Sequence, residues 1–357
     1  RQGRLCLYGA PGTGKTQFTK SLVAQMVWES KNNVNGTPLG FLIFDYKGDY
    51  IKDDFVQATG AKVYDLHRLP YNPLSLTVGG KHQPMLPLHT ANAIKESIST
   101  AFGLGVVQQQ RLRDMIMEAY ALKGIDKADA RTWSGEAPTI ADMCRIYLEA
   151  DDTKPDSLYA AIDNLHQFEI FEPRSADTFS LWNLLDGVVV INLSGYDQDI
   201  QNLVVAITLD LFYSQMQKAG HSTIQDSLRE LRKMVLVDEA DNFLSQDFAS
   251  LRKILKEGRE FGVGTILSTQ FLGHFSTGEN EYANYVFTWI VHRVTDLTAK
   301  AVPVIFGAQS KDIVSHILSQ GTTLSKHFSL VSAARDKPVL IRDRAFWEMP
   351  RHHEDRK

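Results

Sequence analysis

Short apolar runs recur along the chain and alternate with longer stretches in which apolar residues return every three or four positions. The clearest runs are residues 5–8, 41–44, 188–193 and 234–237. Strands without polar alternation are typical of a parallel sheet that is covered on both faces. The stretches between them have the period of helices that connect such strands. The pattern therefore predicts an α/β fold in which helices cover both faces of a mostly parallel central sheet.

Weaker strand signals extend the predicted sheet at residues 61–64, 265–270, 285–294 and 338–341. Helical periodicity predicts helices between residues 91 and 122, from 157 onward, from 203 to 216 and from 308 to 319. Thr139 and Asp142 form a capping box before an apolar stripe over residues 140–148, which predicts another helix. The helix that contains Leu251 is expected to end at Gly258 in the left-handed conformation that glycine favours.

The glycine-rich run from Gly9 to Thr16 follows the first apolar run and opens a helical pattern. It matches a Walker A phosphate-binding loop, in which backbone N–H groups at a helix N-terminus converge on nucleotide phosphates. Lys15 would reach the β- and γ-phosphates, and Thr16 would bind Mg²⁺. The alternative is a glycine-rich turn without a ligand. The predicted nucleotide-binding residues are Gly9, Pro11, Gly12, Thr13, Gly14, Lys15 and Thr16.

Two acids, Asp238 and Glu239, follow the apolar run 234–237 directly. A buried strand that delivers carboxylates at its tip has the form of a Walker B motif. Asp238 is the second predicted Mg²⁺ residue and would hold the ion through water, and Glu239 would position and polarise the water that attacks ATP. Two acids at a strand end are weak evidence alone, and the Walker A loop in the same chain strengthens the assignment.

Gln270 ends the next predicted strand and is placed to contact the γ-phosphate or the attacking water; the alternative is an ordinary polar strand terminus. Charged residues also follow the strand 41–44, in the run Asp45 to Tyr50. They lie where α/β sheets bind ligands. A solvated loop that turns at Gly48 explains them equally well.

Composition restricts the partners and the cellular compartment expected for this site. The chain has 357 residues and a formal net charge of −4, so no overall basic field marks it as a nucleic-acid binder. Contact with DNA would need a local basic patch or a ring of several subunits. The two cysteines, Cys6 and Cys144, fall in apolar patterns and fit a reducing cytoplasm. No run of 18 apolar residues exists, which predicts that this fragment has no membrane segment.

Several further motifs carry a resemblance to a known family. They are the P-loop together with residues 44–50, 190–195, 237–243, 257–264 and 268–270. Their order resembles the HerA/FtsK superfamily of ring-forming ATPases over nearly the whole chain, and especially the HerA-like ATPases of phosphorothioation-dependent DNA restriction. The resemblance implies a RecA-like P-loop NTPase core, residues 1–71 and 181–350, with a mainly helical insertion at 72–180 and a charged tail at 351–357. It also implies a longer protein whose N-terminal part precedes Arg1.

The resemblance implies roles for two arginines. Arg259 matches the arginine that reaches the nucleotide of a neighbouring subunit, and Arg293 resembles a second active-site arginine. From the residues alone, the alternative for Arg259 is a cation favoured at the C-terminal end of a helix. The chain departs from HerA proper in having Asp241 where histidine is more usual, and in lacking the small β-barrel expected before the motor domain.

Together these features predict a cytoplasmic enzyme that hydrolyses ATP with Mg²⁺ and drives double-stranded DNA through a homo-hexamer, alongside other restriction-system or nuclease subunits. Two alternatives remain open. One is a conjugative secretion-type ATPase that moves protein or protein-DNA. The other is a nucleotide-gated recruitment module with little hydrolysis.

Overall fold

A computed structural model describes residues 3–79, 84–151, 153–245, 248–273, 276–277, 280–295, 297–307, 310–334 and 336–349. Its strands are β1 Arg4–Tyr8, β2 Gly40–Asp45, β3 Lys62–Asp65, β4 Val188–Asn192, β5 Ile224–Gln225, β6 Leu228–Arg229, β7 Lys233–Val237, β8 Val263–Thr269, β9 Ser276–Thr277, β10 Asn280–Glu281, β11 Thr288–Val291, β12 Phe328–Ala333 and β13 Val339–Arg342. Its helices are α1 Lys15–Trp28, α2 Asp53–Thr59, α3 Leu86–Phe102, α4 Val106–Leu122, α5 Ile140–Leu148, α6 Ser157–Gln167, α7 Leu181–Leu184, α8 Gln198–Ala219, α9 Asp241–Leu244, α10 Ala249–Glu257, α11 Ala301–Phe306 and α12 Lys311–Thr323.

The main sheet of the described chain has nine strands in the order β13-β12-β11-β1-β8-β7-β2-β4-β3. The strands from β11 to β3 are parallel, and β12 and β13 add antiparallel pairs at one edge. The predicted α/β fold with a mostly parallel sheet is therefore confirmed. Because the strands beside β1 are parallel to it, their C-terminal ends all meet at one edge of the sheet.

Each face of the sheet has its own hydrophobic core. On one face, Cys6 and Tyr8 of β1 pack in a cluster that includes apolar residues of α3, α8 and α10. Leu7 points to the other face, where it joins Val23 of α1 and Phe55 of α2. Alternate side chains of one strand are thus buried in both cores, which explains why the strand sequences show no polar alternation. The expectation of helices on both faces is confirmed.

The chain between the third and fourth strands folds mainly as helices α3 to α6. The predicted capping box is present at the start of α5, where the Thr139 hydroxyl accepts from the Asp142 N–H at 3.2 Å and the Asp142 carboxylate accepts from the Thr139 N–H at 3.0 Å. Both cysteines of the chain are free and buried. Within the described residues, no helix combines the length and the apolar character needed to cross a lipid bilayer.

The end of α10 differs from the sequence prediction. Gly258 has right-handed backbone angles, φ −50° and ψ −32°, and the chain continues into a 3₁₀ turn over Gly258–Phe261. The left-handed residue is Gly262, with φ 73°. Close packing gives another reason for a glycine at position 258, since a Cβ there would lie 3.2 Å from the Val263 carbonyl oxygen. The prediction of a left-handed cap at Gly258 is wrong by four residues.

The last third of the chain also differs in detail. Only Thr288–Val291 of the predicted strand 285–294 is a strand, because Tyr282–Tyr285 forms a 3₁₀ turn and the chain leaves the sheet at His292. The helix predicted at 308–319 begins at Lys311 and runs to Thr323. Strand β12 was not predicted. The charged tail at 351–357 lies outside the described residues.

Candidate functional site

The Gly9–Thr16 loop connects the C-terminal end of β1 to the first residue of α1. Gly12 and Gly14 have φ values of 73° and 109°, which side chains with a Cβ rarely adopt. The backbone is held by neighbouring strands, since the Gly9 N–H donates to the Thr269 carbonyl at 3.2 Å and the Ala10 N–H donates to the Arg293 carbonyl at 2.9 Å. The loop is therefore fixed by β8 on one side and by the end of β11 on the other.

Lys15 folds back into this loop. Its ammonium group donates to the carbonyl oxygens of Gly9 at 2.6 Å and Ala10 at 3.1 Å, and the residue is 7% exposed. Burial lowers the pKa of Lys15, and the nearby carboxylates of Glu239 and Asp238 oppose that shift. Thr16, one residue further along α1, is half-buried. The predicted Walker A residues thus surround one concave backbone segment with a buried cation inside it.

Asp238 follows β7 immediately and is almost completely buried. Its Oδ2 atom has no hydrogen-bond partner among the described residues. Burial, together with the adjacent Glu239 carboxylate, raises the pKa of Asp238 to about 7. A buried carboxylate oxygen without a partner is costly unless a cation or proton compensates it. Mg²⁺ prefers oxygen ligands of this kind, so the residues present fit a divalent cation.

Glu239 lies at the centre of a polar cluster at the same edge of the sheet. One carboxylate oxygen accepts from the Lys47 ammonium at 2.5 Å, and the other accepts from the Gln270 side-chain amide at 2.5 Å. Glu239 has a φ of 50°, a left-handed conformation that is unusual for a residue with a side chain. The structure thus brings the predicted residues Glu239 and Gln270 into direct contact.

Asp241 is a site residue that sequence reasoning noted only as a departure from a family pattern. Its carboxylate accepts from the Thr269 hydroxyl, from the Gln270 N–H at 2.9 Å and from the Phe271 N–H at 3.2 Å. These contacts tie the end of β8 to the start of α9. Asp241 therefore determines where the Gln270 backbone lies relative to Glu239. Its position three residues after Asp238 was the available signal.

Lys47 was also missed as a contact of Glu239. The buried Asp45 carboxylate accepts backbone N–H groups from Lys47 at 3.2 Å, Asp49 at 3.1 Å and Tyr50 at 2.7 Å. Burial raises the pKa of Asp45, and these three bonds oppose that shift. The predicted turn is present, and a ligand-binding role for this segment stays a prediction. Gly48 makes the turn with φ 71°, and the turn holds Lys47 against Glu239.

The two arginines lie at opposite ends of the parallel strands, Arg293 at the C-terminal ends and Arg259 at the N-terminal ends. Arg293 is exposed just after β11, at the edge that carries the P-loop. Arg259 is exposed in the 3₁₀ turn that precedes β8, at the opposite edge, where it lies near Arg4 at the start of β1. The pKa of Arg4 is lowered mainly by burial and also by the Arg259 charge. One subunit therefore does not bring Arg259 to its own P-loop.

Two histidines that sequence reasoning did not select pack against the P-loop. His292 is fully buried, and a Cβ at Gly9 would lie 2.8 Å from its Cβ. Burial and the Lys15 charge lower the pKa of His292 to about 4, so its ring is neutral at pH 7. His327 approaches the other end of the loop, where its backbone N–H donates to the Thr13 carbonyl at 3.4 Å. Neither histidine belongs to the Walker motifs, so only the fold reveals them.

Comparison with known proteins identifies the family of this chain. Residues 3–212 match the family model described as "Helicase HerA, central domain". This match covers the P-loop, β2 and the whole helical segment through most of α8. No curated protein is similar enough in sequence to match the chain.

Solved structures show the same fold. VirB4 of Thermoanaerobacter pseudethanolicus superposes with a TM-score of 0.72 at 14% identity, over 96% of this chain and 90% of that chain. The unbound bacterial conjugative coupling protein TrwB gives 0.56 at 12% identity, over 98% and 87%. TrwB in complex with ADP and Mg²⁺ gives 0.57 at 13% identity, over 96% and 85%. At identities this low, the superpositions establish a shared RecA-like P-loop fold and nothing beyond the fold.

Proposed function

Because the chain belongs to the family of the helicase HerA central domain, whose members are P-loop ATPases, we propose that it hydrolyses ATP with Mg²⁺ and uses the energy to move double-stranded DNA. One observation carries the proposal. The P-loop, the buried carboxylate of Asp238 and the Glu239–Gln270 pair lie together at the C-terminal edge of the sheet. This edge is where parallel α/β sheets bind their ligands.

The chain's own residues account for substrate binding. The backbone N–H groups of residues 12–16 are the proposed phosphate donors, and Lys15 exchanges its backbone carbonyl partners for phosphate oxygens. Thr16 and Asp238 are the proposed metal ligands. Bound Mg²⁺ would supply charge neutralisation on the β- and γ-phosphate oxygens. The crystallisation of TrwB with ADP and Mg²⁺ and with a non-hydrolysable ATP analogue supports these ligands.

Hydrolysis needs a water molecule held in line with the γ-phosphate. Glu239 is the proposed residue that orients this water and accepts its proton. Lys47 and Gln270 hold the two carboxylate oxygens of Glu239, so the carboxylate has a defined direction before the substrate binds. Gln270 is the proposed γ-phosphate sensor, because a ligand that contacts it would disturb its bond to Glu239.

Arg259 and Arg293 complete the proposed site. Arg293 is exposed beside the loop of its own subunit, and Arg259 is exposed at the far edge of the sheet. A ring, proposed to be a homo-hexamer, would place the far edge of one subunit against the P-loop edge of the next. Arg259 would then neutralise charge that develops on the γ-phosphate of its neighbour.

The experiment that tests hydrolysis is substitution of Glu239. Glu239→Gln keeps an oxygen for Lys47 but removes the base, so we expect turnover to fall by roughly 10²- to 10⁴-fold while ATP affinity changes little. Phosphate release and equilibrium ATP binding are the two measurements. Glu118→Gln, at an exposed position on α4, is the matched control and should hydrolyse at the wild-type rate. A Glu239→Gln protein with undiminished turnover contradicts the assignment.

Coupling to DNA requires a separate measurement. A motor on duplex DNA hydrolyses ATP faster when duplex is added, and a nucleotide-gated recruitment module does not. VirB4 and TrwB share the fold at low identity, so the fold does not choose between movement of DNA and movement of protein or protein-DNA. ATPase rates with and without duplex DNA, together with displacement of a DNA-bound triplex strand, distinguish the three outcomes.

The most specific part of the proposal is service in phosphorothioation-dependent DNA restriction, where the chain resembles the HerA-like ATPase DptH. Other restriction subunits or a nuclease would then be its partners, in the cytoplasm. ATPase rates measured with duplexes that contain or lack phosphorothioate linkages test this directly. Different stimulation by the two duplexes supports recognition by this chain, whereas equal stimulation assigns recognition to a partner.

A further inference from the structure

An exposed indole lies beside the P-loop on a surface that has no part in the proposed hydrolysis. Trp347 is 53% exposed and belongs to the 3₁₀ turn Phe346–Glu348, which follows β13. A single exposed aromatic side chain is common on a protein surface, but this one borders the proposed phosphate-binding loop. The question is therefore what covers Trp347.

A chain of contacts joins Trp347 to the P-loop. The rings of Trp347 and His327 meet edge-to-face with centroids 4.9 Å apart. His327 in turn lies on Gly14, since a Cβ at Gly14 would be 2.9 Å from the His327 Nδ1 atom. Gly14 directly precedes α1. Trp347 is thus one aromatic ring away from the backbone that is proposed to bind phosphates.

The turn that carries Trp347 is held firmly. Phe346 packs against Phe55 with ring centroids 5.9 Å apart, and the Lys20 ammonium of α1 lies 5.8 Å from the Phe346 ring. The Glu348 carboxylate accepts from the Ala345 N–H at 3.1 Å and from Arg342 at 2.9 Å. Because both sides of the turn are anchored, Trp347 has a defined position beside the first turn of α1.

We propose that Trp347 is a stacking surface for the base of the bound nucleotide, an inference that rests on the proposed function. A nucleotide whose phosphates lie on the P-loop extends its ribose and base past the loop, and a rigid aromatic ring at that distance offers a stacking face. The Lys326 ammonium lies over one face of the Trp347 ring, 5.9 Å from its centroid, so the base would stack on the opposite face while the cation attracts the anionic ligand. Stacking accepts any base, so this shelf adds affinity for nucleotides and does not discriminate strongly among them.

The test separates the base from the phosphates. Trp347→Ala should weaken Mg²⁺-dependent ATP binding by about 5- to 150-fold, since base stacking contributes roughly 1–3 kcal/mol per base. Binding of inorganic tripolyphosphate, which has no base, should be unchanged. Trp347→Phe should retain most of the ATP affinity, and Phe179→Ala, which removes another exposed aromatic ring, should retain all of it. Quenching of tryptophan fluorescence by ATP but not by tripolyphosphate gives a second measurement, and it should be present in the wild type and lost in Trp347→Phe, because the chain has four other tryptophans.

The outcomes distinguish this inference from the proposed function. Equal weakening of ATP and tripolyphosphate binding by Trp347→Ala would overturn the stacking surface, as would unchanged ATP affinity. If the wild-type protein bound neither ligand, the P-loop assignment itself would fail. ATP and GTP are expected to bind with affinities within about tenfold of each other, because stacking is tolerant of base identity. A much larger preference contradicts a shelf that works by stacking alone.

Discussion

A single carboxylate, that of Asp241, connects the two acids of the Walker B segment with the polar end of β8. It accepts a hydroxyl and two backbone N–H groups from residues Thr269 to Phe271. A buried acceptor with three donors is expensive to alter, because each donor left without a partner costs about 1–3 kcal/mol. Asp241 acts on the reaction through Gln270 and is a positioning residue.

Asp241→Asn should lower kcat by roughly ten- to a hundredfold, with little change in the KM for ATP. The amide presents an N–H where the carboxylate accepted one, so Gln270 moves away from Glu239 while the P-loop is untouched. Steady-state ATP hydrolysis gives both constants. In a Gln270→Ala background the same substitution should cost much less, because its effect passes through Gln270. A full-sized loss in that background contradicts the positioning role.

The residues of the Walker motifs could be predicted because their chemistry needs particular residue types in sequence order. Lys47 and His327 could not, because each acts across a large sequence separation. Lys47 contacts Glu239 from the loop after β2, and His327 reaches Gly14 from the loop before β12. Only the order of strands in the sheet brings these segments together.

At the scale of elements, strand β12 shows where the apolar pattern fails. Ser329 and Ser332 are fully buried in it, and their hydroxyls donate to the Asp343 carboxylate at 2.6 Å and the Asp336 carbonyl at 2.7 Å. Hydrogen bonding permits their burial, but in the sequence they resemble loop residues. Strands β2, β4 and β7 were predictable because their buried residues are almost all apolar.

Helices α3, α8 and α10 meet around the partly buried carboxyl group of Asp210. The Ser97 hydroxyl of α3 donates to its Oδ2 atom at 2.5 Å. Burial raises the pKa of Asp210 to about 7, and Ser97 and the Lys253 charge oppose this shift. In the unfolded chain an aspartate titrates near about 4. The folded state therefore holds this proton more tightly, and the free energy of unfolding falls as pH rises from about 4 to about 7.

Asp210→Asn should remove this penalty, because the amide oxygen still accepts from Ser97 and carries no charge. The variant should be more stable than wild type by about 1–3 kcal/mol at pH 8, and the difference should shrink as the pH is lowered toward 5. Urea unfolding at several pH values measures it. Asp114→Asn, at an exposed position of α4, is the control and should show no such trend. A constant difference at all pH values would rule out titration of Asp210 as its origin.

At the scale of the whole molecule, the parallel sheet separates the two halves of the proposed site. The P-loop, Asp238 and Glu239 stand at the C-terminal ends of their strands, and Arg259 stands before the N-terminal end of β8. The hairpin β5–β6 braces the Arg259 turn, since the Arg229 guanidinium donates to the Glu260 carbonyl at 3.0 Å and the Arg232 N–H donates to the Gly262 carbonyl at 2.7 Å. A braced, exposed arginine far from its own site is suited to a site on another subunit.

Action between subunits makes a prediction that no single-chain role shares. Arg259→Ala should bind ATP normally but hydrolyse it roughly 10³- to 10⁵-fold more slowly, because the charge that develops at the γ-phosphate loses its partner. Lys256→Ala, which removes a nearby exposed cation, should be close to wild type. Mixing Arg259→Ala with Glu239→Gln restores some interfaces, namely those in which an intact P-loop edge meets an intact Arg259.

In rings assembled at random from equal amounts of the two variants, about a quarter of the interfaces are intact, so the mixture should recover up to about a quarter of wild-type hydrolysis. Each variant alone should stay inactive. Joint refolding or dilution and reassembly before the assay ensures that subunits exchange, and chromatography with light scattering confirms that mixed rings form. Mixed rings no more active than the separate variants would place Arg259 outside the neighbouring site. The recovered activity thus measures whether the two edges of the sheet meet across a subunit interface.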